Sequence, residues 1–192
     1  MTEQEIAALR DWSEVEMLTR MVRSAGLRWS TQGLLDSALP GGGAQLAPVI
    51  GQGISEDRDT TPPIANSHGV SIEWLAIPPG GGVARHRLAD KQVVIAVEGD
   101  LALDIDSGRA QTQCCLKGRD AAWDSYALPG DVWRRMTNRG TGTVRALLLT
   151  SGDHRKRIDW APAVIESAAL AGWAHDANGY VALKRFTDRS QR

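Results

Sequence analysis

The stretch PPGGGVARHRLADKQVVIAVEG, residues 78–99, joins two apolar runs through a proline stop, three glycines and a single histidine. Upstream, VSIEWLAIP (70–78) reads as a strand ended by Pro78 and Pro79. Within the stretch, KQVVIAVEG (91–99) reads as a second strand, and Glu98-Gly99-Asp100 as a tight turn into LALDID (101–106). QTQCCL (111–116) is a further strand, GRDAAWDSYAL (118–128) a loop or broken strand, and DVWRRMTN (131–138) and TVRALLLTS (143–151) a pair about the turn Arg139–Gly142. Short strands with glycine turns and no intervening helix predict an all-β sandwich or barrel.

The spacing inside residues 78–99 resembles the first motif of the cupins, small jelly-roll β-barrels. That motif is a glycine, five residues, His-x-His, three or four residues, Glu, six residues and Gly; here Gly80 precedes His86 by five intervening residues and Gln92 precedes Gly99 by six. Leu88 stands at the second His position and Gln92 at the Glu position. The cupins' second motif is matched at Pro129 and Asn138, with Asp131 at its glycine and Arg134 at its histidine. Gly118 lies too far upstream, as if a few residues were inserted before Pro129. The resemblance implies a cupin-like jelly-roll barrel over 67–151. Residues 1–66 then supply an N-terminal helix and a leading strand and loop, and 152–192 a C-terminal helix and strand, all in one compact domain. It also implies a homodimer.

On that frame His86, Leu88, Gln92, Val94 and Ala96 point into the barrel from one side, and Val132, Arg134, Met136 and Asn138 from the other. The family's usual metal site uses the two histidines and glutamate of the first motif and the histidine of the second. Only His86 survives. Leucine has no donor atom, and a guanidinium repels a cation. No cofactor is therefore expected, and Fe, Zn, Ni or Mn is the disfavoured alternative. The replacements suit an anionic or aromatic small molecule instead: Arg134 as anion clamp, His86 as acid/base and Gln92 as orienting group. Leu88, Val94, Ala96, Met136, Trp74 and Trp123 complete the ligand-facing set, with Trp123 as a lid over a ring-shaped ligand. The leading reading is a metal-independent isomerase, cyclase or dehydratase. The alternatives are a non-catalytic ligand sensor or scaffold, and a metal-dependent dioxygenase or polyketide cyclase with a non-standard site.

The flanks and the bulk composition constrain this further. Residues 3–23 carry apolar positions at helical spacing, with Thr2 and Glu5 as a capping box and Gly26 as the stop, and predict a helix packed on the barrel or at a dimer contact. AQLAPVIGQG (44–53) is a candidate strand, and SEDRDTTPPIANSHG (55–69) a surface loop. Pro162 opens a short helix that Gly172 ends, and DANGYVALKRF (176–186) reads as a turn and a last strand. His68, His154 and His175 read as solvated. With 192 residues, 42% hydrophobic and 23% charged, the chain is an ordinary globular one. A formal net charge of −1 gives no pull toward nucleic acid or anionic lipid. Cys114 and Cys115 are adjacent and point to opposite faces, so free thiols in a cytoplasmic protein are expected. No signal peptide or membrane span is read.

Overall fold

The structure, a computed structural model, describes residues 13–65, 68–119 and 122–187. Among them ten strands form one curled antiparallel sheet: β1 (Gln45–Ile50), β2 (Val70–Ile77), β3 (Gly82–Arg87), β4 (Gln92–Asp106), β5 (Gln111–Arg119), β6 (Ala122–Trp123), β7 (Ser125–Leu128), β8 (Trp133–Asn138), β9 (Val144–Ser151) and β10 (Asp159–Trp160). The order is β1-β2-β9-β4-β8-β3-β10; β5 and β7 also pair with β4, and β6 with β5. One wall is β1, β2, β9, β7 and the first half of β4. The other is β10, β3, β8, β5 and the second half of β4. A continuous apolar core fills the space between them, with Leu75, Val94, Leu148, Leu101, Leu103, Met136 and Trp160 among its members.

The walls are joined through β4, and here the expected tight turn at 98–100 is not found. The strand runs through, with a register shift between Ala96 and Glu98 and Gly99 at φ 77°. The buried residues are even-numbered before the shift (Gln92, Val94, Ala96), whereas after it the fully buried ones are odd-numbered (Leu101, Leu103), with Ile105 and Ala102 slightly more exposed. A bulge of this kind adds one residue, bends the strand and swaps which side chains face the core. Gly118 of β5 lies against the same bend, where a Cβ would stand 2.5 Å from the Glu98 nitrogen. The chain before Pro129 continues β5 into the narrow β5–β6 pairing. Asp124 then closes the path, its backbone bonding Lys117 and Ala96.

At the second-motif positions, Asp131 has φ 58° and donates its amide to the Leu88 carbonyl at 2.7 Å. That left-handed conformation is what a glycine supplies at the matching family position, and aspartate is among the few other residues that tolerate it. Asn138 donates to the carbonyls of Ile77 (2.8 Å) and Gly142 (2.7 Å) and accepts from Gly140 (2.9 Å), fixing the 139–142 turn to the end of β2.

The flanks differ from expectation. The Thr2/Glu5 capping box and residues 3–12 of the expected helix lie outside the described residues. Helix α1 spans only Glu14–Leu18, capped by Ser13 and Glu16, and Val15, Met17 and Leu18 are exposed rather than packed on the barrel. The 55–69 segment is not all surface: Ser55 and Glu56 are buried. After helix α2 (Pro162–Leu170), a hairpin of β11 (Trp173–His175) and β12 (Val181–Leu183) leads into helix α3 (Lys184–Thr187). That hairpin docks on the barrel through Val181, whose amide donates to the Glu56 carbonyl at 2.9 Å. No helix among the described residues is long and apolar enough to cross a membrane.

Candidate functional site

His86 sits near the end of β3, between Arg134 of β8 and Trp160 of β10 in the strand register, and is fully inaccessible. Its Nδ1 lies 2.8 Å from the Ala84 carbonyl. A carbonyl only accepts, so Nδ1 carries the hydrogen and Nε2 is left as a bare lone pair. That Nε2 is buried and has no hydrogen-bond partner. Burial, with the charge of Arg134 in support, drives the imidazole pKa down to about 4, so it is neutral at physiological pH. The Trp160 ring packs against it, centroid to centroid 5.5 Å and tilted by 52°.

Arg134 is 1% exposed. Its guanidinium donates to three neutral oxygens: Val132 O at 3.2 Å, Gln92 Oε1 at 3.3 Å and Pro129 O at 3.3 Å. All three are at or beyond the long end of the usual range. Among the described residues no carboxylate bonds to it; Asp131 supplies only a partial counter-charge. Desolvation lowers its pKa to about 10, which leaves it charged at neutral pH. Gln92 is fully engaged from the facing strand, accepting from Arg134 and donating to Thr150 Oγ1 at 3.1 Å.

The structure thus brings His86, Gln92 and Arg134 together at one end of the barrel. Leu88, Val94, Ala96 and Met136 also face inward, but as tightly packed core. The two tryptophans do not join them. Trp74 lies on the outer face of β2, beside Trp29, Leu27 and Arg145 around a groove of about 510 Å³. The inward residues of that strand are Ser71, Glu73, Leu75 and Ile77. Trp123 is 60% exposed and is no lid. It pairs with Gly118, whereas the level of Arg134 on β5 is Thr112. Six residues of strand, about 20 Å, separate the two.

The barrel also holds ionisable groups that the sequence did not single out. Glu73 is fully buried, with Oε2 accepting from the Ile54 amide at 2.7 Å and Oε1 unpartnered. Burial pushes its pKa up to about 7, against the opposing backbone donors of Ile54 and Ser55. Lys156 is buried, its Nζ 3.3 Å from His154 Nε2 and 3.5 Å from Asp90 Oδ1. Exposed His154 therefore has a buried amine as neighbour. Glu56 accepts from Leu35 N (2.7 Å) and Trp160 Nε1 (3.0 Å) and meets His175 Nε2 at 2.9 Å, so His175 is a tether and not a solvated residue. Asp36 accepts from Ala84 N at 2.5 Å, and burial, with Glu56 nearby, raises its pKa to about 6.

No family model matches this chain, and no curated protein does. Solved structures do. An oxalate oxidase in complex with the substrate analogue glycolate is similar with a TM-score of 0.52 at 16% identity, over 67% of this chain and 59% of that one. Another oxalate oxidase structure gives 0.52 at 14% identity, over 81% and 68%. The polyketide cyclase RemF from Streptomyces resistomycificus gives 0.52 at 13% identity, over 73% and 84%. The chain has the cupin fold.

The cupin metal positions carry a donor set that does not fit a metal here. His86 offers one nitrogen. Leu88 offers nothing, the Gln92 amide is committed at both ends, and Arg134 places a cation where the family has an imidazole. Neither acid near the motif repairs this: Asp90 faces Lys156, and Glu98 pairs with Arg145 on the outside of the barrel. Among the described residues no group of three or more His, Cys, Asp or Glu side chains is arranged to hold an ion.

Proposed function

We propose that this cupin barrel binds a small organic anion and acts on it without a metal, as an isomerase, cyclase or dehydratase. The observation that carries the reading is Arg134. A guanidinium removed from water without a carboxylate partner is costly, and an anionic ligand removes that cost. Beside it stands the bare Nε2 of His86, neutral and free to take a proton from a bound ligand. Gln92 is a positioning residue in this reading, since both ends of its amide hold Arg134 and Thr150 in place. The fold neighbours include proteins named for small-molecule chemistry, an oxalate oxidase and a polyketide cyclase, which is consistent with a barrel used in this way.

The test is thermal unfolding with acetate, benzoate, phosphate and sulfate as probes. Saturation to a hundred times Kd stabilises by about 2.7 kcal/mol, and raises Tm by roughly 5–10 °C for a chain of this size. The Arg134→Met variant is expected to lose that shift. If no probe moves the wild-type Tm, the anion reading fails. With a substrate in hand, His86→Ala is expected to abolish turnover and keep the fold; unchanged turnover excludes His86 as the proton carrier.

A second reading is a non-catalytic barrel. It is favoured by the burial of the three candidates, 0% for His86, 1% for Gln92 and 1% for Arg134. It predicts that a bound anion stabilises the protein but leaves unchanged by NMR.

A further inference from the structure

Strand β5 is paired on one side and open on the other. It follows β4 along its length, while β6 meets it only at Gly118 and Arg119. Two contacts fix which way its backbone groups face. At the start, the Ala110 carbonyl accepts from Ser107, the residue after β4, at 3.1 Å. At the far end, Lys117 turns away from β4: its amide donates to Asp124 Oδ2 at 2.9 Å and its carbonyl accepts from the Asp124 amide at 3.0 Å. The direction alternates along a strand, so Gln111, Gln113 and Cys115 face the same open side as Lys117. Among the described residues none of their amides or carbonyls on that side has a hydrogen-bond partner. Natural sheet edges are blunted by a charge, a proline or a bulge. Residues 110–116, AQTQCCL, contain no charge and no proline, and their pairing with β4 has no register shift.

We propose that a second copy of this chain pairs at this edge, β5 against β5, antiparallel about a two-fold axis at Gln113. In that register Gln113 faces its own counterpart and Gln111 faces Cys115, so every open amide meets an open carbonyl. Centring on Thr112 would leave Cys115 unmet, and centring on Cys114 would set Gln111 against the occupied Lys117. The occupant is a second copy because the open lane is closed beyond Cys115 by Asp124. A longer foreign strand would run into that residue, whereas a second β5 leaves the lane there through its own 107–110 turn. The symmetry also brings no like charges together, since residues 110–116 carry none. This edge lies outside the barrel interior, and the inference stands apart from the anion reading.

Sedimentation equilibrium of the full chain in reducing buffer, from about 1 μM to about 1 mM, reads the association. The paired segment is short, so a weak dimer is expected, with the average mass rising toward twice the monomer's as concentration increases. Gln113→Pro removes an amide that β4 does not use. It is expected to melt close to wild type and to stay monomeric. A wild type that is monomeric throughout, or a folded Gln113→Pro that still dimerises, overturns the inference. A second pair of variants tests the register even if Gln113→Pro does not fold. Thr112→Cys combined with Cys115→Ser, oxidised at high concentration, is expected to form a disulfide-linked dimer through Cys114. Residue 112 and Cys114 of the partner subunit form a non-hydrogen-bonded pair, about 4.5 Å apart at Cα and within disulfide range. Adding Cys114→Ser is expected to abolish that dimer on a non-reducing gel. No linked dimer in the first variant, or an undiminished one in the second, overturns the proposed pairing.

Discussion

The buried carboxyl of Glu73 makes a quantitative prediction about stability. In the folded protein its pKa is raised from 4.5 to about 7. The folded state therefore keeps its proton where the unfolded chain has already released it. Stability from the protonated carboxyl is complete below about pH 4.5 and is lost as pH rises toward the folded value near 7. At roughly 1.36 kcal/mol per pH unit, raising the pKa from 4.5 to about 7 amounts to about 3 kcal/mol. Two other buried groups titrate in overlapping windows. Asp36, raised to about 6, loses stability in the same direction, whereas His86, lowered to about 4, gains it as pH rises toward 6.5. The raw profile of the wild type mixes the three, so the measurement is a difference. Glu73→Gln is compared with wild type by urea unfolding, followed by the fluorescence of the seven tryptophans, at steps across this range. The stability of the variant relative to wild type is expected to climb by about 3 kcal/mol from about pH 4.5 to about pH 7, then stay level. In thermal melts the same change is roughly 6–12 °C. A difference that does not vary with pH would refute the reasoning, because Glu73 would then ionise as it does in an unfolded chain.

Three further substitutions probe the same interior. Arg134→Met removes a buried charge that has only three long bonds to neutral oxygens. Urea unfolding is expected to show stability unchanged or raised by up to about 3 kcal/mol, and a large loss would mean the guanidinium is compensated. Gly53→Ala sets a Cβ against the Glu73 carboxylate at a left-handed φ of 54°. It is expected to cost more than about 3 kcal/mol or to prevent folding, with partial recovery when Glu73→Ala is added; a neutral melt would refute the close contact. Trp160→Phe deletes the indole donor to Glu56 at 3.0 Å. The expected loss in urea unfolding is about 1–3 kcal/mol, and no measurable loss would mean that His175 alone satisfies that oxygen.

The inward set His86, Gln92 and Arg134 was legible in the sequence because two constraints agreed, the glycine-anchored spacing and the two-residue period of a strand. Glu73 was not legible, and the reason is physical. In VSIEWLAI the apolar members Ile72, Trp74 and Ala76 invite an inward assignment, which makes Glu73 a solvent-side acid. The sheet is turned the other way, and the outer face of β2 is only half-buried: Trp29 and Leu27 of the preceding segment line an open groove beside Trp74. Strand alternation reports which face is more apolar, and it misleads where the outer face also carries apolar side chains. Lys156 is a similar case. The run GDHRKRIDW looks solvated, yet the Lys156 amide bonds the Gly53 carbonyl at 2.7 Å and draws its side chain in. The His175–Glu56 contact spans 119 residues of sequence, and no local pattern reports it.

Burial alone does not distinguish the polar residues of this barrel from one another; the count of satisfied atoms does. Asn138 is as buried as Arg134, but its amide bonds two carbonyls and its oxygen accepts from a third residue's backbone. Glu56 is 2% exposed, and both of its oxygens are engaged. Such groups stabilise the fold through complete partner sets. His86, Glu73 and Asp36 each stop half-way, and Arg134 has hydrogen bonds but, among the described residues, no carboxylate bonded to it and only the partial counter-charge of Asp131. Incomplete polar groups such as these run against the usual economy of a protein interior, where an unfilled polar site is costly and readily replaced by an apolar one. A small organic anion offers Arg134 the negative charge it lacks, whereas a divalent cation is repelled by the guanidinium. On the anion reading proposed above, the positive charge of Arg134 is the feature that turns this barrel toward anions.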